Sequence, residues 1–170
     1  MFRKILWLLI IIFIVIQFFH PSKNQSTQVL ATDIEKMYPT SPETHTILAK
    51  ACYDCHSNNT AYPWYNNIQP VAWWLHNHIE EGKWHVNFSN FGSSPIRWQY
   101  KKLESTIKEV KEGDMPLDSY TWIHKNAILT DQEKQTLLNW AQTIRDSIKA
   151  NYPADSLKMH PDEERFKDED

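Results

Sequence analysis

The sequence predicts an all-α fold, and three observations carry the prediction. Three glycines stand against nine prolines and eight tryptophans, too few turn-formers for a sheet with many tight hairpins and enough proline to punctuate loops between helices. Apolar residues recur at helical spacing in successive stretches, and helix-opening residues precede most of them. The 170 residues suit one domain of ordinary size with tails at its ends. A formal charge of -3 and a pI near 6.2 leave no basic footprint, so nucleic acid is not an expected partner.

The elements follow in order. Arg3 and Lys4 precede ILWLLIIIFIVIQFF, Ile5 to Phe19, which is apolar except for Gln17. That is the layout of an export signal or an anchor. As a helix the run rises roughly 22 Å against a hydrocarbon core of about 30 Å, so it would need Phe2 and Phe19 at its edges. A cleaved signal is the other reading, but the following HPSKNQSTQVLATD has no small-x-small pattern and no cysteine to be lipidated. The expectation is an N-terminal membrane helix over residues 1–20, single-pass in the inner (cytoplasmic) membrane. Basic residues ahead of it place the remainder on the periplasmic side. Residues 21–38 are polar and mixed and are expected to be a spacer outside the core.

The domain itself is expected over residues 39–150. Its first helix starts at Thr40 or Ser41, with Pro42 in the first turn, Glu43 placed for a capping box, and Ile47, Leu48 and Ala51 as an apolar stripe into Cys52. Residues 57–69 are an ordered loop rich in Asn, Pro and aromatics. Pro70 opens a second helix with Val71, Trp74, Leu75 and His78 at helical spacing and Gly82 near its end. A third helix, Arg97 to Glu112, carries Trp98, Leu103, Ile107 and Val110 and stops at Gly113. The last runs from Thr130 to about Ala150, with a Thr130/Glu133 capping box and a stripe of Leu137, Trp140, Ala141, Ile144 and Ile148. Residues 151–170 are charged, mostly acidic, and expected to be a solvated tail.

The chemistry concentrates at AKACYDCHSNN. Cys52 and Cys55 are the chain's two cysteines, and His56 follows directly. A C-x-x-C pair serves a redox disulfide, half of a zinc site or c-type haem attachment, and C-x-x-C-H is the pattern of the last. The two thiols would add to the haem vinyl groups and His56 would bind iron from the proximal side. On one helical turn the three-residue spacing places both sulfurs on the same face. Zinc would need two further ligands from His76, His78, His85 or His124, whose spacings do not give H-x3-5-H. A thioredoxin-like disulfide would need a preceding strand, and none is predicted.

With these residues in place the chain resembles mono-haem cytochromes c, and more closely a bacterial haem-binding domain family. CYDCHSNNTAYPWY, PVAWWLHNHIEEG, NFS, GDMPL and LTDQEKQTLLNWA carry the resemblance. It implies a cytochrome c-like helical domain around one covalent haem c. It also implies a distal methionine in a loop before the last helix, which Met115 in GDMPL would supply. The competing reading of Met115 is core filling. His78 is its first rival as iron ligand, followed by His76, His85 and His124, and an empty sixth position is a further option. Trp64 and Trp74 are expected to pack the haem, and the other tryptophans the haem or the core.

The expected function is a membrane-anchored one-electron carrier on the periplasmic side, working with redox partner proteins and having no catalytic residues of its own. The alternative is a haem enzyme or a gas or peroxide sensor with an open or labile sixth iron site, in which His78 or His124 would act as acid or base. A zinc-stapled interaction module is the third class.

Overall fold

The computed structural model describes residues 1–160. Expectations for the end of the tail, residues 161–170, lie outside the described residues. The all-α prediction agrees with the fold: among the described residues the only β pairing is an isolated bridge between Gln25 and Asn59.

The predicted membrane helix is corrected. Helix α1 spans Phe2–Ile16, 15 residues, and among the described residues no helix is long and apolar enough to cross a membrane. The hydropathy of the run was legible, but its helical length was overrun. The helix stops before Phe18 and Phe19, and the Gln17 side chain is taken up by the carbonyls of Phe13 at 2.9 Å and Gln69 at 3.2 Å. The inner-membrane, single-pass placement with a periplasmic domain falls with the span.

Residues 21–38, expected as a spacer, pack onto the rest of the chain. Asp33 caps the short helix α2 (Ile34–Met37) by accepting from the Glu35 amide, and this turn buries Ile34 completely. Asn24 donates to the Ser57 carbonyl and to Thr60 Oγ1 at 2.8 and 2.9 Å.

Helix α3 (Pro42–Ala51) is capped by Ser41, which accepts from the Thr44 amide. That places Glu43 one residue short of the capping-box position, and Thr44 occupies it. Thr40 instead accepts the indole N–H of Trp140 at 3.2 Å. The one-turn helix α4 (Tyr53–His56) follows, then a 3₁₀ turn over Trp64–Asn67 and helix α5 (Val71–His85).

The buried side of α5 differs from the predicted stripe. Ala72, Ile79 and Gly82 face inward while Trp74 is exposed. Gly82 sits where α5 meets Cys55 of α4, a contact that leaves no room for a side chain. Beyond α5 a 3₁₀ segment over Phe88–Ser93 buries Phe88 and Phe91.

Helix α6 (Ile96–Glu112) buries Leu103 and Val110 and ends at Gly113, whose φ of 89° is the left-handed conformation that favours glycine. The short helix α7 (Asp118–Thr121) and a 3₁₀ turn at Lys125–Ala127 lead to helix α8 (Asp131–Asn151). There the Thr130/Glu133 capping box forms and the stripe Leu137, Trp140, Ala141, Ile144 and Ile148 is buried as predicted. Helices α6 and α8 make the most extensive pairing, α3 packs on α8, and α4 packs on α5. The core lies between α3, α6 and α8, closed by Ile34, Phe88 and Phe91. In the tail, a 3₁₀ turn at Ala154–Leu157 sets Leu157 against this core.

Candidate functional site

Cys52 ends α3 and opens α4, with φ of -126° and ψ of -43° marking the bend between them. Its carbonyl accepts from the amides of Cys55 at 3.2 Å and His56 at 2.9 Å, which closes the C-x-x-C-H segment into one turn. The intervening residues pin that turn from two sides. Tyr53 donates its hydroxyl to Glu35 at 2.7 Å. Asp54 accepts from the Ala61 amide at 2.9 Å and the Tyr120 hydroxyl at 2.7 Å, and its carbonyl accepts from Thr60 Oγ1 at 2.6 Å. Burial raises the Tyr53 and Tyr120 hydroxyls far above the usual tyrosine range, and their bonds to Glu35 and Asp54 raise them further. Both therefore stay donors.

The His56 ring is fixed from behind. Its Nδ1 lies 2.8 Å from the Gly82 carbonyl and 3.0 Å from that of Val86. Two carbonyl acceptors at one nitrogen assign the proton to Nδ1. Nε2 is then left with a bare lone pair and has no hydrogen-bond partner among the described residues. Burial, the largest influence, holds His56 below its usual pKa despite the two carbonyl bonds, so the ring is neutral. A ligating imidazole needs this state, with its other nitrogen donating to a carbonyl.

Gly82 makes the approach possible. A Cβ there would stand 2.8 Å from the Cys55 carbonyl oxygen and 3.1 Å from the Cys55 Cβ, so only glycine lets α5 bring its C-terminal carbonyls to the imidazole.

Cys52 and Cys55 are half-buried free thiols. Burial pushes Cys52 up to about 12 and Cys55 to about 11, with Asp54 adding to the second. They are protonated and not poised as thiolate nucleophiles. Among the described residues no group of three or more His, Cys, Asp or Glu side chains is arranged to hold a metal ion, so no zinc ligand set stands beside Cys52 and Cys55 there. No strand precedes Cys52, which removes the setting of a thioredoxin-like disulfide. Two free thiols on one turn, beside a neutral imidazole with an unpartnered nitrogen, fit thioether attachment and axial ligation of haem.

The other predicted residues are spread more widely. Met115 lies just past α6, where its amide and that of Asp114 bond the Glu109 carbonyl. It is half-buried against the same core that Cys52 borders. His78 bonds the Trp74 carbonyl through Nδ1, and its ring lies 4.3 Å from the Trp74 ring. It is off the buried side of α5, which Ala72, Ile79 and Gly82 form. His124 stacks on Tyr120 at 4.3 Å, and its Nε2 meets the Tyr65 hydroxyl at 2.9 Å. His85 packs edge-on to Trp84. His76 differs from these, because its Nδ1 is enclosed without a hydrogen-bond partner. Trp64 is 75% exposed beside Tyr65, and Trp74 is 45% exposed.

Sequence reasoning missed the residues that hold the turn. The carbonyls of Gly82 and Val86 carry no side-chain signal, and Glu35 and Tyr120 lie too far along the chain for any spacing rule to join them to the cysteines.

A family model described as "Haem-binding domain" matches residues 11–143. The match takes in residues 21–38, α3 to α7 and the first part of α8. Among curated proteins and among solved structures, nothing matches the chain.

Proposed function

We propose, for a chain that belongs to the haem-binding domain family, that its haem is a single haem c held through Cys52 and Cys55, with His56 as proximal and Met115 as distal iron ligand. On this reading the protein is a one-electron carrier that works between redox partner proteins. Haem binding comes with the family; the attachment and the electron transfer are read from the residues of this chain. The observation that carries the reading is His56, neutral, held at Nδ1 by two carbonyls, and adjacent to two free thiols.

Bound haem supplies an iron that takes up and releases one electron. The protein's part is to hold it. Cys52 and Cys55 would hold the haem covalently, the Gly82 and Val86 carbonyls orient the His56 imidazole that would bind its iron, and Met115 would supply the second iron ligand. A thioether ligand from Met115 alongside His56 would favour the ferrous form and raise the potential. An iron held by both His56 and Met115 would serve electron transfer rather than substrate binding. The two histidines expected to act in a haem enzyme are engaged elsewhere, His124 with Tyr65 and His78 with Trp74.

His76 supports a second reading of the sixth ligand. A buried ring nitrogen without a partner is costly to keep, and iron would satisfy it.

Optical spectra of oxidised and reduced protein, produced together with a haem-attachment machinery, test both readings when combined with pyridine haemochrome analysis after acid-acetone extraction. Haem that resists extraction and is lost in the Cys52→Ala/Cys55→Ala double variant is the expected result. So is the weak red band of methionine-ligated ferric iron, absent in Met115→Ala. Extractable haem in the wild type would overturn covalent attachment. Retained haem without the red band would move the sixth ligand to His76, and carbon monoxide binding to the reduced protein would point to an open site.

A further inference from the structure

We propose that Tyr120 is a positioning residue whose hydroxyl, donated to Asp54, latches the segment from Gly113 to His124 against the haem-attachment turn. The inference deepens the reading above and rests on it, since it takes Cys52, Cys55 and His56 as that turn.

The segment is firmly tied at its start and sparsely afterwards. The amides of Gly113, Asp114 and Met115 all bond the Glu109 carbonyl, which fixes the exit from α6. Beyond Met115 its backbone bonds are local, within α7 and the turn that follows. Among the described residues, two contacts alone connect residues 116–124 by hydrogen bonds to distant parts of the chain. One is Tyr120 to Asp54 at 2.7 Å, and the other joins His124 and Tyr65 at 2.9 Å. The Tyr120 and His124 rings stack at 4.3 Å with an interplanar angle of 12°, so the two ties act on one rigid unit.

The placement of Asp54 gives the latch its meaning. It stands between the two cysteines, and its other carboxylate oxygen and its carbonyl are held by Ala61 and Thr60. The carboxylate is thus an immobile part of the turn, and a hydroxyl bonded to it reports directly on where that turn is. The two large apolar side chains that follow Tyr120 add little packing beside the bond, since Trp122 and Ile123 are 71% and 62% exposed. Met115 lies between the α6 exit and the Tyr120 tie, so its position relative to the attachment turn is set at both ends.

Tyr120→Phe in the haem-loaded protein tests the latch, read by hydrogen exchange over residues 116–124 and by the association rate of cyanide with ferric haem. Tyr38→Phe, which removes a hydroxyl bonded to Gln99, controls for general loosening. Tyr65→Phe cuts the second tie and serves if Tyr120→Phe folds poorly. The expected result is unchanged haem content, with both exchange and cyanide association faster by about tenfold, the scale of one hydrogen bond to a charged group, and no such change in Tyr38→Phe. A cyanide rate equal to wild type in both Tyr120→Phe and Tyr65→Phe would overturn the proposal. If haem washes out in acid acetone, the attachment reading fails instead, and the exchange comparison in that same preparation decides the latch.

Discussion

Gly82 and Cys55 meet backbone to backbone: a Cβ on Gly82 would lie 2.8 Å from the Cys55 carbonyl oxygen. The carbonyl of the same glycine accepts from His56 Nδ1 at 2.8 Å. One residue without a side chain therefore sets both the distance between α4 and α5 and the orientation of the imidazole.

Gly82→Ala is expected to destabilise the protein by about 1–2 kcal/mol. Forcing atoms into a filled contact costs roughly 1–3 kcal/mol, and the better helix propensity of alanine returns up to about 1 kcal/mol. The obstructing atom is backbone, which cannot swing aside. Urea unfolding midpoints measure the loss, and a rise in stability would show that α5 can shift freely.

Ile34→Ala is expected to cost about 2–4 kcal/mol, the range for removing a large aliphatic side chain from a filled core. Ile34 is 0% exposed and contacts the cluster built by α3, α6 and α8. A loss below about 0.5 kcal/mol in urea unfolding would return residues 21–38 to the role of a spacer.

Acid should weaken the fold through His56. Its folded pKa lies below the ordinary 6.5 because of burial, so the unfolded chain takes up the proton more readily. This contribution to stability is complete above pH 6.5 and falls as pH drops through 6.5 toward the folded pKa. A coordinated Nε2 acts in the same direction, since protonation competes with iron. Unfolding midpoints measured from about pH 8 down to about pH 5 should decline in the wild type and decline less in His56→Gln; equal slopes would exclude His56 as the source.

His76→Leu separates the two candidates for the sixth ligand. With Met115 on the iron, replacing an unpartnered buried nitrogen by carbon is neutral or stabilises by about 1 kcal/mol, and the red band stays. Loss of haem six-coordination in this variant would place His76 on the iron.

The chain's legibility followed physical rules. Helix α8 was read correctly down to its cap because its stripe is long, regular and opened by Thr130 and Glu133. The C-x-x-C-H turn was legible because all three groups are contiguous. The inward side of α5 differs from its apolar stripe because Ala72 and Gly82 contribute little hydropathy, although the contact with Cys55 requires a small residue at Gly82. Phe88, Phe91 and Ile34 lie in single turns, where no period exists to be counted. The partners of His56 are backbone oxygens, which no spacing rule announces. The apolar run near the N-terminus was visible, but hydropathy does not say where a helix ends, and α1 ends at Ile16.

Helix α5 is a strut about 22 Å long, from its 15 residues at 1.5 Å each. Just before its first turn the fully buried Gln69 is clasped by Gln17, its amide donating to Gln17 Oε1 at 2.9 Å while its carbonyl accepts from Gln17 Nε2. At the far end are the two carbonyls that grip His56. A swing of the N-terminal helix must either open the glutamine clasp or carry this strut with it. The hydrophobic arm and the imidazole grip thus belong to one lever, mounted at both ends on main-chain atoms.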